Sequence, residues 1–180
     1  MKKLRNVTIS ERAFVDIIAS CIEVYKKETY GFLIGEKHKK HYMIYDAISF
    51  QSAKRGYESV NVSTFRINRM NYVFSHLTNL KLVGDFHSHP DFPDKLSETD
   101  KKDTKNSGLT LTLLIIPKQT KKKRHPWKIE DNNLLGFVGN KYYVKIMAFE
   151  YDRKKNKLFQ IKIVCPSLKK LNKLKTFKKK

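Results

Sequence analysis

The period of the hydrophobic positions changes several times along the chain, and each change marks an element. Residues 4–9 alternate apolar and polar side chains, the period of a short strand. Ser10 then occupies a helix N-cap position, with Glu11 against the positive end of the helix dipole. Phe14, Ile17, Ile18, Cys21, Ile22 and Tyr25 recur at spacings of three and four, so they form one apolar stripe and place Cys21 in the core. Residues 30–34 and 41–50 read as strands, 52–56 as a polar turn and 60–62 as a further extended segment. Ile67, Met70, Phe74 and Leu77 give a second helical stripe. Residues 81–86 form a strand running into His87-Ser88-His89-Pro90, where Pro90 and Pro93 stop it. A short polar helix at 97–105, a strongly apolar central strand at 109–116 and a long basic loop at 118–133 follow. Strands at 134–138 and 142–151 flank Gly139-Asn140, and 158–164 returns as a strand after a turn at 152–157. Beyond Cys165, Leu168, Leu171, Leu174 and Phe177 are spaced by three in a Lys-rich segment, either a marginal basic helix or a disordered tail. The expected fold is α/β of the α+β type, a mainly antiparallel mixed β-sheet flanked by helices over residues 1–151, with a basic C-terminal extension at 152–180.

Composition narrows the function classes. At 180 residues the chain suits one domain with tails. A formal net charge of +21 suggests nucleic acid or another acidic partner, while 40% hydrophobic residues exclude a wholly disordered basic chain. No apolar run reaches the roughly 20 residues needed to span a bilayer, and Met1-Lys2-Lys3-Leu4 leads into no apolar signal core, so the expected compartment is the cytoplasm. Two cysteines, Cys21 and Cys165, make neither a disulfide framework nor a four-cysteine zinc site.

The chemistry concentrates at the end of the 81–86 strand. Side chains at i and i+2 of a strand point the same way, so His87 and His89 can converge on one ion; the plainer alternative is a pair of surface or hydrogen-bonding histidines. Ser97-Glu98-Thr99-Asp100 opens a polar helix a short loop later, and a first-turn carboxylate there completes a set of two histidines and one carboxylate. Ser97 and Asp100 also match a capping box, a role compatible with facing a site. Asp85 shares the face of His87 and His89 and either orients a ligand histidine or pairs with a lysine, the plainer alternative. His38, His41, His76 and His125 fall outside the pattern.

His87-Ser88-His89-Pro90, six residues and then Ser97-x-x-Asp100 resembles the signature of the JAMM (MPN-plus) zinc metalloproteases. Glu28-Thr29-Tyr30-Gly31 stands upstream where that family carries a glutamate at the start of a strand after the first helix. The resemblance implies a cytidine-deaminase-like MPN domain and one Zn2+ per chain held by His87, His89 and Asp100. It also implies Glu28 as general base and acid on the zinc-bound water, and Ser97 as stabiliser of the oxyanion. The implied activity is hydrolysis of isopeptide or peptide bonds at the C-terminus of ubiquitin, ubiquitin-like or sulfur-carrier proteins. The alternative is a non-catalytic MPN-type scaffold whose basic surface engages nucleic acid or a protein complex.

Overall fold

A computed structural model describes residues 5–50, 54–55, 60–61, 64–77, 79–91, 93–121 and 125–173. In chain order the elements are β1 (Asn6–Ile9), α1 (Glu11–Glu23), β2 (Tyr30–His38), β3 (His41–Ser49), β4 (Lys54–Arg55), β5 (Val60–Asn61), α2 (Thr64–Leu77), β6 (Lys81–Ser88), α3 (Glu98–Asn106), β7 (Leu111–Gln119), β8 (Lys128–Glu130), β9 (Asn133–Val138), β10 (Tyr142–Asp152), β11 (Lys157–Val164) and α4 (Leu168–Lys173). Ser10 caps α1 by accepting from Ala13 N at 3.1 Å, and the stripe Phe14, Ile17, Ile18 and Cys21 is buried. Among the described residues no helix is long and apolar enough to cross a membrane.

The expected open arrangement, a mainly antiparallel sheet flanked by helices, is not the fold. Seven strands close into a barrel in the order β11-β1-β3-β2-β6-β7-β10, with β10 returning to β11, and β9 and β8 continuing the sheet beyond β10. Three junctions of the ring are parallel: β1 with β11, β1 with β3, and β6 with β7. The closure has a simple cause. Strand β10 is 11 residues long, so one edge serves two partners, with Tyr142–Ile146 paired to β9 and Ala148–Asp152 paired to β11. Strand β11 then aligns with β1, which closes the ring and leaves the β9–β8 extension as the sheet's edge. The residues after 151 therefore carry β11, whose Ile161 and Ile163 lie in the main core, and α4, whose Leu168 and Leu171 pack against it. Leu174, Phe177 and most of the 52–56 turn lie outside the described residues. Within the expected loop at 118–133, residues 128–130 form β8. Just before it, Trp127 N donates to Asn172 Oδ1 and Asn172 Nδ2 donates to Trp127 O, both at 2.8 Å, so α4 is fastened to this edge.

Two cores flank β7. Leu111, Leu113 and Ile115 join α1, Phe86 and the barrel strands in the larger one. Leu114 and Ile116, on the opposite face by strand alternation, pack with Leu96 and Met147 in the smaller one. Burying a leucine side chain contributes about 1.5–3 kcal/mol, so Leu96 pins the segment between β6 and α3 to the barrel wall. The same segment is tied by Lys145 Nζ to Asp94 and by the Tyr25 hydroxyl donating to Asp91 Oδ2 at 2.6 Å.

Candidate metal centre

Strand β6 lies between β2, antiparallel, and β7, parallel, with His87 opposite Tyr30 on one side and Leu114 on the other. The chain stays extended past the strand end: His89 N donates to Ile115 O at 2.9 Å. That continuity is why His87 and His89 present their rings to the same side, with centroids 5.0 Å apart. Asp91 follows Pro90 with φ of 62°, a left-handed turn that aspartate tolerates better than most residues and that begins the return to α3.

Helix α3 brings in the carboxylate. Ser97 is its N-cap: Ser97 Oγ accepts from Asp100 N at 3.1 Å and donates to Asp100 Oδ2 at 2.7 Å, while Ser97 N donates to the same oxygen at 2.7 Å. The capping box thereby holds Asp100 in one orientation. Its Oδ1 is 3.5 Å from His87 Nε2 and its Oδ2 is 3.3 Å from His89 Nε2. Glu28 approaches from the start of β2, with Oε1 3.6 Å from His89 Nε2. The structure thus brings together all five residues that the sequence singled out.

Electrostatics bind the group further. Burial works to raise the Asp100 carboxyl, but the adjacent His87 and His89 imidazoles and the hydrogen bonds from Ser97 hold it well below the usual carboxylate range. Burial works to lower the His87 imidazole, and the neighbouring Asp100, Asp85 and Glu28 outweigh it and raise its pKa. His87 Nε2 is shielded from solvent and has no hydrogen-bond partner, since 3.5 Å to Asp100 is a charge contact only. An orphaned imidazole nitrogen facing a carboxylate and a second imidazole is short of an electrophile.

The donor set suits a metal ion in its chemistry. His87, His89 and Asp100 each offer one donor atom, all within 4.8 Å of one another. Two nitrogens and one oxygen suit zinc, whose tetrahedral donors at about 2.0–2.1 Å lie about 3.3 Å from each other, close to the Asp100 separations here. Asp85 is buried beside this cluster. It faces Thr112 across β6 and β7, and burial raises its carboxyl against the opposing influence of Thr112, His87 and Tyr30. No ion pair joins it to a lysine among the described residues.

The other histidines lie elsewhere: His41 Nε2 is 2.8 Å from Thr8 Oγ1, His38 pairs with Glu36, His76 stacks on Tyr72 and His125 packs against Phe137. Sequence reasoning missed Tyr25 and Lys145, whose contacts with Asp91 and Asp94 link positions 66 and 51 residues apart and leave no local signal. It also passed over Ser88 and Thr29, both fully buried between named site residues. A small polar residue on the inward face of an apolar strand is the signal that could have found Ser88.

A family model described as prokaryotic homologs of the JAB domain matches residues 10–130, about two thirds of the chain. The solution structure of protein DSY2949 from Desulfitobacterium hafniense is similar, with a TM-score of 0.54 and 15% identity, over 88% of this chain and 92% of that one. At that identity the likeness is one of fold. No curated protein matches the sequence.

Proposed function

The chain belongs to the family of prokaryotic homologs of the JAB domain, and from that premise we propose that it is a zinc-dependent hydrolase. Its substrates are isopeptide or peptide bonds at the C-terminus of ubiquitin-like or sulfur-carrier proteins. The observation that carries this reading is the convergence of His87, His89 and Asp100 beside Glu28, with His87 Nε2 left unpartnered. His87, His89 and Asp100 would hold the metal, which when bound supplies a Lewis acid and brings the pKa of a held water to about 7.

Glu28 is the residue that moves protons. It lies at the edge of the donor cluster, largely buried, and is placed to accept a proton from attacking water and return it to the leaving amine. Ser97 carries a single hydroxyl proton, and in this structure it points at Asp100 Oδ2. To stabilise a tetrahedral oxyanion, that O–H turns from Asp100 toward the substrate, while Ser97 N keeps its own bond to the carboxylate. The positive surface, from a chain of net charge +21, attracts an acidic modifier or acidic target and raises the association rate more than the intrinsic affinity. The same charge is the one observation favouring the second reading, a non-catalytic scaffold that binds nucleic acid.

The test is incubation of zinc-loaded protein with Gly-Gly-linked conjugates of ubiquitin-like proteins, with and without chelator. The proposal expects chelator-sensitive release of the modifier, and loss of release with retained zinc in Glu28→Gln. Turnover that survives Glu28→Gln removes Glu28 as the base, and a zinc-loaded chain inert on every conjugate leaves the scaffold reading.

A further inference from the structure

The last rung between β2 and β6 is irregular. Tyr30 faces His87, so Thr29 and Ser88 form the next pair, and Ser88 N donates to Thr29 O at 2.9 Å as an antiparallel pair should. The reciprocal bond in such a pair runs from Thr29 N to the Ser88 main-chain carbonyl. Here Thr29 N donates instead to Ser88 Oγ, at 2.9 Å. Thr29 Oγ1 in turn donates to Ser20 O in α1 at 3.1 Å, and Ser88 Oγ also faces the Cys21 thiol of that helix. Three elements meet at this pair, where Glu28 directly precedes Thr29 at the approach to β2 and the two histidines flank Ser88 at the end of β6.

From this geometry we propose that Ser88 is a positioning residue, whose hydroxyl locks the Thr29 amide and so fixes Glu28 against the His87–His89 pair; the catalytic consequence rests on the hydrolase reading above. Strand alternation turns the Ser88 side chain away from the histidine face, toward the side of Phe86 and α1, so it touches neither a metal nor a substrate there. A side chain on that inward face would ordinarily be apolar. Serine supplies the acceptor that the fully buried Thr29 N–H needs at the point where the chain leaves the sheet. The connection just upstream, with Lys26 at φ of 78°, turns sharply, and the Ser88 bond ties the peptide unit that follows Glu28 to the sheet.

Ser88→Ala, Ser88→Thr and Ser88→Val in the full zinc-loaded chain test this, the last two being near-isosteric and differing in the hydroxyl. Amide exchange at Thr29 reads the lock itself, zinc affinity by competition with a chromophoric chelator reads the histidines, and steady-state cleavage of a Gly-Gly conjugate reads Glu28. Ser88→Ala and Ser88→Val are expected to lose at least tenfold protection at Thr29 and at least tenfold in kcat. KM should stay within about twofold and zinc affinity within about threefold, with Ser88→Thr close to the parent in all four. Equal turnover in the Thr and Val variants overturns the proposal, as does zinc affinity falling in step with kcat, which would mean that Ser88 holds the strand and its histidines. If the parent binds zinc but cleaves nothing, the hydrolase reading fails by itself. Thr29 exchange still decides the lock, and unchanged protection in Ser88→Ala refutes it.

Discussion

Ser97 has one observed role, the cap of α3, and one proposed role at the oxyanion, and one pair of substitutions separates them. Its Oγ accepts from Asp100 N at 3.1 Å, the cap of α3, and its O–H is the donor assigned to the oxyanion. Alanine removes both, at about 1 kcal/mol for the lost cap, whereas glycine at an N-cap costs only a few tenths of that unit because it leaves the helix end open to water. For a chain of this length about 1 kcal/mol is a shift of about 2–4 °C in Tm, so Ser97→Ala should melt visibly lower than Ser97→Gly. The hydroxyl is missing equally from both. If it stabilises the oxyanion, each variant loses about 100- to 1000-fold in kcat, corresponding to about 3 kcal/mol of transition-state stabilisation. Zinc affinity should change little in either, because Ser97 N still donates to Asp100 Oδ2 at 2.7 Å. The assays are a thermal melt, a zinc competition titration and conjugate cleavage on the same preparations. Turnover in Ser97→Gly within about threefold of the parent refutes the oxyanion role, and losses that follow the melting order reduce Ser97 to a cap.

Three further predictions concern the scaffold. Burial pushes the Cys21 thiol up to about 12, against the opposing influence of Ser88, so iodoacetamide at pH 8 should modify it only after unfolding; native labelling at Cys21 contradicts its placement. The same shift has a signed consequence for stability. With the folded pKa above the unfolded value of about 8.5, the contribution is intact below pH 8.5 and is lost toward pH 12, at about 1.4 kcal/mol per pH unit. Urea midpoints measured at pH 8 and pH 10 should therefore fall less in Cys21→Ala than in the parent, and equal falls refute the shift. At Gly136 an added Cβ would fall within the ring of Trp127, the one tryptophan, which packs edge-on to Phe14 at 4.8 Å. Gly136→Ala should cost about 1–3 kcal/mol and shift tryptophan emission to the red; unchanged emission and Tm would contradict this packing.

The elements were legible where local chemistry sets them. Ser10 and Ser97 mark helix starts because an N-cap acts within three residues, and the i, i+2 alternation of His87 and His89 needs only a strand. Barrel closure was not legible, because it depends on β10 sharing one edge between β9 and β11 and on β1 lying parallel to both β3 and β11. The pairing that completes the ring, β1 with β11, joins residues more than 100 apart, as in Asn6 with Lys162, and nothing near either residue announces it. The candidate site was readable as a set of residue types. What places them was not: Leu96 in the smaller core, Asp94 on Lys145, Asp91 on Tyr25 and Thr29 on Ser88 are tertiary contacts that orient groups the sequence could only name.

The most direct measurement is the zinc content of the purified protein, parent beside His87→Ala, after equilibration with zinc and removal of the excess. One zinc per parent chain, falling to near zero when the His87 imidazole is removed while the melt stays cooperative, is the predicted result. A folded parent that retains no stoichiometric metal, or a His87→Ala chain that retains as much as the parent, contradicts the account at its centre.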